Sequence, residues 1–367
     1  MSDQEQELLE TPEEQQRLVS LDVFRGLTMI LLISHGFALP HLEGAAGWTG
    51  AIATQFTHHP WHGLRFWDLI QPFFMFIVGV AMPYSVTKRE SQGQSRWGIF
   101  GHVVGRSVIL AFLGVVIIKR GTLMRGEPSL TNVLAQIAFT YFVTYLFIRK
   151  PLHIQLAITV GILLAYDLAF RFIPLPYEAG PWTKAKNLGA FIDHSLGLQK
   201  NSGGWVSINA VSTAAHTMWG AAAGWVLKSD RSEGRKLLFL VAAGVTALAA
   251  GYALDPVTPI IKRIATSSFV LASGGFCFLV LAFFYAVVDV LGFKRWTWFA
   301  TVVGMNCIFI YMFHALLGGW LENFLGTFAK PALGSGIEYA LVTVNVALLI
   351  KWYMCYWLCK NDAVVKI

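Results

Sequence analysis

Residues 57–82, THHPWHGLRFWDLIQPFFMFIVGVAM, set His58, His59, His62, Arg65 and Asp68 directly ahead of an uncharged apolar run. A carboxylate near imidazoles can orient one ring and stabilise its protonated form, which is what a histidine general base or histidine nucleophile needs. Asp68 also opens the apolar run, where an acid in a first helical turn gains from the helix dipole, so a structural role is open to it too. His58 and His62 have the i, i+4 spacing of a helical metal pair. Pro60 between them argues against one uninterrupted helix, and no metal is assigned. Trp61 and Trp67 suit an interfacial aromatic belt.

A second pair, Asp22 and Arg25, lies three residues apart on one face at the start of LDVFRGLTMILLISHGFAL. It reads either as an intrahelical ion pair at a membrane surface or as an anionic-ligand site. The four cysteines, Cys277, Cys307, Cys355 and Cys359, all sit in apolar stretches, which excludes a disulfide framework. Cys355 and Cys359 are one helical turn apart and read as small apolar residues rather than half a metal site.

The elements that must position these groups are membrane helices. Only 13% of the 367 residues are charged and 55% are hydrophobic, whereas a soluble domain carries about 25% charged residues. The fold class is therefore all-α, a polytopic transmembrane helical bundle of about ten helices. They are expected near residues 21–39, 68–86, 100–118, 130–148, 152–172, 207–227, 236–254, 267–289, 298–318 and 337–358. A polar segment, 1–20, precedes them, lacks the basic start of a signal peptide, and implies a first helix retained as an anchor. A tail, 361–367, follows. Pro174, Pro176 and Pro181 with five glycines mark 173–206 as the longest non-membrane loop, with a short amphipathic helix expected around 185–196.

The net charge of +7 comes from short clusters between apolar runs, which excludes nucleic acid as a partner and fits cytoplasmic loops beside a lipid bilayer. With both termini cytoplasmic, inner loops hold Lys88, Arg89 and Arg96, then Arg149 and Lys150, then Lys228, Arg231, Arg235 and Lys236, then Lys294 and Arg295. Lys119, Arg120, Arg125 and Lys262 run against that orientation. It places the 57–68 cluster and the loop 173–206 outside.

LDVFRGLTM, HHPWHGL and DLIQPFFMFIVGVAM, followed by IDHSLGL (192–198), KRIATSSFVL (262–271) and VVGMNCIFIYM (302–312), resemble the heparan-alpha-glucosaminide N-acetyltransferase family and its bacterial relatives, within the wider transmembrane acyltransferase group. The resemblance spans nearly the whole chain after residue 17. It implies an enzyme of a bacterial inner membrane that takes cytoplasmic acetyl-CoA and acetylates an amino or hydroxyl group of a sugar or glycan on the other side. A homo-oligomer is compatible with that reading. The family's catalytic histidine, three residues before the tryptophan, corresponds to His58. Asp68 is the candidate for orienting it, and His58 acts as base or as acyl-accepting nucleophile.

Arg25, beside Asp22, and Lys262 are candidate phosphate partners for CoA. Ser267, Ser268 and Asn306 could hydrogen-bond the donor or the oxyanion, or simply tie helices together. Two positions depart from the family. Gly36, beside His35, stands where relatives carry asparagine, and GGWVSIN (203–209) replaces an acidic stretch. Both fall where an acceptor could bind. The alternative from another class is a transporter or flippase of a sugar-containing molecule, although no internal repeat supports it.

Overall fold

In the computed structural model, residues 18–118, 129–176, 178–198 and 201–363 are described. Most of segment 1–20, together with Lys119, Arg120 and Arg125, lies outside them. The described residues are helical and contain no strand. In chain order the helices are α1 (Val19–Ile33), α2 (Trp48–Gln55), α3 (Ile70–Ser91), α4 (Arg96–Ile118), α5 (Val133–Phe147), α6 (Leu152–Phe172) and α7 (Leu188–Ser195). There follow α8 (Asn209–Lys228), α9 (Glu233–Leu254), α10 (Ser267–Phe284), α11 (Trp298–Met305), α12 (Cys307–Phe313), α13 (Gly319–Leu333) and α14 (Ile337–Lys360). Short tight turns, Gly36–Leu42 and Phe66–Leu69, follow α1 and precede α3.

Each of the ten expected segments falls on helix. Among the described residues, seven stretches are long and apolar enough to cross a membrane, eight if the bent pair Val19–Ile33 and Gly36–Leu42 is one span. The chain is therefore an integral, multi-pass membrane protein. The count of ten is approximate for two physical reasons. Helix α5 has only 15 residues, about 22 Å at 1.5 Å per residue, short of a 30 Å hydrocarbon core. Helix α8 is rich in alanine, glycine and small polar residues, and nearly every one of them is buried. Its surroundings are protein rather than lipid, so apolarity is not demanded of it.

Close helix contacts depend on glycines. A Cβ on Gly79 would run into the Thr217 carbonyl, and one on Gly220 into that of Phe76, so α3 and α8 touch backbone to backbone. Gly26 and Gly304 do the same for α1 and α11, against the carbonyls of Ala300 and Asp22. The core around these contacts joins Phe24, Phe73, Phe76, Trp219 and Phe269.

The expected amphipathic helix is α7. Asn187 caps it, its Oδ1 accepting from Ala190 N at 3.1 Å. Asp193 on α7 accepts from Ser207 N at 2.9 and 3.2 Å, and burial raises its carboxyl above the ordinary range. These bonds fold the 178–198 segment back over the bundle. Trp182 stacks on Phe170 at 5.7 Å and accepts through its carbonyl from Trp61 Nε1 at 3.0 Å. Trp61 is thus tied to the long loop, which refines the belt reading for that residue.

Candidate functional site

His58 and Asp68 are ten residues apart in a segment of tight turns, and that short chain brings them together. His58 Nδ1 lies 2.8 Å from Asp68 Oδ1. The other carboxylate oxygen accepts from the backbone N–H groups of His59 at 3.2 Å and Arg65 at 3.0 Å. Asp68 therefore caps the turn into α3 and holds the imidazole with the same carboxylate. It is 1% exposed. A buried acceptor of this kind puts the proton on Nδ1 and leaves the Nε2 lone pair available for chemistry.

Lys262 completes the cluster from 204 residues away. Its Nζ lies 3.3 Å from His58 Nδ1 and 3.5 Å from Asp68 Oδ1. The loop 259–266 turns inward to deliver it. Thr266 Oγ1 donates to Pro259 O at 2.7 Å and accepts from Ile261 N at 3.0 Å. Ala265 adopts φ +43°, an uncommon conformation for a residue with a Cβ, and its carbonyl is tied down by Ser212 Oγ at 2.7 Å. Lys262 is 8% exposed, so it is not a surface cation and does not count against the expected orientation.

Burial holds the His58 imidazolium below its ordinary range, outweighing the raising effect of the Asp68 hydrogen bond; the Lys262 charge pushes the same way as burial. Burial also pulls the Lys262 ammonium down to about 8, opposed by Asp68. His58 is thus neutral near pH 7, with about a third of its side chain exposed. Trp205 meets its ring edge-on at 5.5 Å, and the Arg263 guanidinium lies over Trp205 at 4.5 Å. Trp205 belongs to the GGWVSIN stretch already set apart for the acceptor, whereas Arg263 was not legible as a site residue. His62 turns away to Asp255, 2.8 Å from its Nε2, so the i, i+4 pair does not converge.

At the other end of α3 a cavity of about 420 Å³ runs from Arg89 inward to Phe74. Arg25, Arg89, His102 and Arg106 line it, with Tyr141 and Tyr311. Arg25 keeps its bond to Asp22 Oδ1 at 3.3 Å, so both readings of that pair meet here. Arg106 stacks over Tyr141 at 4.9 Å, its buried Nε without a hydrogen-bond partner. Lys262 lines the His58 cluster and not this cavity. Arg89 had been read only as a loop cation, and His102 and Arg106 of α4 not at all.

The remaining polar residues are fixed by helix contacts. Ser267 Oγ donates to Leu163 O at 2.9 Å, Ser268 Oγ lies 3.2 Å from Thr266 Oγ1, and Asn306 Nδ2 lies 3.2 Å from Cys359 Sγ. A separate buried cluster forms where α1 breaks. The Lys351 ammonium, 0% exposed, directs its three protons to Ile33 O at 3.0 Å, His314 Nδ1 at 3.1 Å and Glu322 Oε1 at 3.0 Å. His35, beside Gly36, approaches the same carboxylate at 3.7 Å. His35, His314 and Glu322 are close enough to share a metal ion, but the ammonium already lies against two of them.

Residues 17–179 match a family profile described as a domain of unknown function (DUF5009). The chain is 25% identical over 413 residues to the heparan-alpha-glucosaminide N-acetyltransferase of Mus musculus, across 96% of this chain and 60% of that protein. It is 31% identical over 131 residues to the Homo sapiens protein of the same name, across 35% of this chain and 18% of that one. The resemblance read from the motifs is therefore homology along nearly the whole chain, which spans about three fifths of the mouse relative.

Proposed function

Taking the chain as a homologue of heparan-alpha-glucosaminide N-acetyltransferase, we propose that it is a membrane-embedded acyltransferase moving an acetyl group from acetyl-CoA to an amine or hydroxyl of a sugar or glycan. The observation that carries this reading is the His58–Asp68–Lys262 cluster standing at the opposite end of α3 from an arginine-lined cavity. Asp68 and Arg89 are 21 residues apart, about 30 Å along a helix, whereas Phe74 at the cavity's inner end is only about 9 Å from Asp68. A donor anchored by its phosphates on Arg25, Arg89 and Arg106 could thus extend its thioester toward His58. Guanidinium groups suit that task because they bind phosphate through paired, charge-assisted hydrogen bonds.

An acetyl thioester is already activated, so the protein must position the acceptor, take its proton and stabilise the oxyanion. In the direct route His58 Nε2 takes the acceptor proton as the amine or hydroxyl attacks the thioester carbonyl. The tetrahedral intermediate expels CoA thiolate, which recovers the proton from the imidazolium. In the covalent route Nε2 itself attacks, CoA leaves, and the acyl-imidazole passes its acetyl group to the acceptor. Both need a neutral imidazole with Nδ1–H held by Asp68, and the Lys262 charge favours that form.

In this reading the cavity faces the cytoplasm and His58 the other side, with both termini inside, and the basic loops support that orientation. The transfer then crosses the membrane. Purified protein incubated with acetyl-CoA should release free CoA, faster when the correct amino sugar or glycan is supplied. His58→Ala should insert and fold without releasing CoA, and His59→Ala should be milder. A transporter or flippase would move its sugar without releasing CoA, and substantial turnover by His58→Ala would remove His58 from the mechanism.

A further inference from the structure

A second cavity, of about 570 Å³, opens at the end of the bundle where α3, α5 and α8 finish and α4 and α6 begin. Four cations line it, Arg96, Arg149, Lys150 and Arg231, together with one acid, Glu90. Arg149 engages that acid at 2.6 and 3.2 Å. Among the described residues, Arg96, Lys150 and Arg231 have no acidic partner. One wall is apolar, built on Leu152 and Trp225, and the indole donates to Ile148 O at 3.0 Å.

Gln155, also lining the cavity, is 4% exposed. Its Nε2 is directed at the carbonyls of Ile148 and Lys150, at 3.3 and 2.8 Å. That leaves Oε1 buried with no donor. A buried acceptor without a donor is destabilising unless something supplies one.

We infer that this cavity binds the headgroup of an anionic, hydroxyl-bearing phospholipid. The phosphodiester lies against Lys150, Arg231 and Arg96, a headgroup hydroxyl donates to Gln155 Oε1, and the glycerol and upper acyl chain follow Leu152 and Trp225. The occupant is a lipid rather than a soluble phosphate because the cavity lies at the ends of the membrane spans Phe66–Ser91, Arg96–Ile118 and Leu152–Phe172. Basic pockets between helices at that level recognise charged headgroups, and an inorganic anion would leave the apolar wall wet. This site is independent of the acyltransfer reading.

The test is native mass spectrometry of the full chain in detergent with phosphatidylglycerol, phosphatidic acid, which lacks headgroup hydroxyls, and phosphatidylcholine. Wild type should retain phosphatidylglycerol in preference to both others. Lys150→Ala with Arg231→Ala, two exposed positions, should weaken that retention about tenfold or more. Gln155→Leu should erase the preference for phosphatidylglycerol over phosphatidic acid. Equal retention of phosphatidylcholine, or retention unchanged in the double variant, overturns the inference. Displacement of phosphatidylglycerol by inorganic phosphate or by CoA would assign the cavity to a soluble phosphate and also overturn it. Should Gln155→Leu fail to fold, the double variant alone decides.

Discussion

Replacing Lys262 by methionine should move the acidic limb of the pH–rate profile upward by about one unit. The ammonium stands 3.3 Å from His58 Nδ1, and a positive charge there disfavours the imidazolium. Coulomb's law at that separation gives about 1 kcal/mol in a water-like dielectric and about 5 kcal/mol at an effective dielectric of 20. With about a third of the His58 side chain exposed, solvent screening favours the lower part of that range, about 1 to 2 kcal/mol, or roughly one pH unit. The sign follows directly. Wild-type His58 has a depressed pKa and stays neutral, hence active, to lower pH. Without the lysine charge the imidazole protonates at higher pH, so activity fails earlier on acidification. Lys262 itself titrates at about 8, so wild type and variant should converge above that pH. The assay is initial-rate CoA release across pH, with thermal melting to confirm folding and Lys262→Arg as the charge-keeping control. An unmoved acidic limb, or one moved toward acid, would refute the electrostatic role of Lys262.

Arg25→Ala should raise the apparent KM for acetyl-CoA about tenfold or more, more than that for acceptor, through loss of charge-assisted contacts; an unchanged donor KM with lower stability would leave only the Asp22–Arg25 ion pair. Lys351→Met should destabilise the protein by about 3 to 5 kcal/mol by stranding Glu322, and Glu322→Gln added to it should restore most of the loss, read as melting temperature in detergent. An unshifted melting temperature in the single variant would mean the buried pair contributes nothing. On a background lacking the four native cysteines, Ser202→Cys should react with an impermeant thiol reagent in intact cells, and Ser232→Cys only after the cells are opened. The reverse pattern would invert the protein.

The helices were legible because the requirement that creates them is local. A segment in lipid must satisfy its own backbone and present apolar side chains, so runs such as IQPFFMFIVGVAM announce themselves. Helix α8 shows the limit of that rule, since its spacing gave a helix while its small polar residues reflect a protein environment that only neighbouring α3 reveals. The His58–Asp68 pair was legible for a related reason, as ten residues of turn allow few separations. Lys262 was read as a phosphate ligand in a loop placed outside, because nothing in KRIATSS names His58 and Asp68 as its partners. Lys351, alone in ALLIKWYM, did carry a signal: an ionisable residue within a span calls for a partner.

By itself the sequence determined that this chain is a multi-pass helical membrane protein, that ionisable side chains crowd into residues 57–68 ahead of an apolar run, and which homologues it resembles. Composition, hydropathy and motif spacing are sums over near neighbours, and near neighbours are what a sequence orders. Tertiary structure alone decided that Lys262 joins His58, that Arg89 and Arg106 share a cavity with Arg25, and that Lys351 meets Glu322, His314 and the broken end of α1. Each of those contacts joins different helices or loops. Their distances are set by backbone-to-backbone packing at residues such as Gly220 and Gly304, and a charge finds its partner only after that packing has brought the two together.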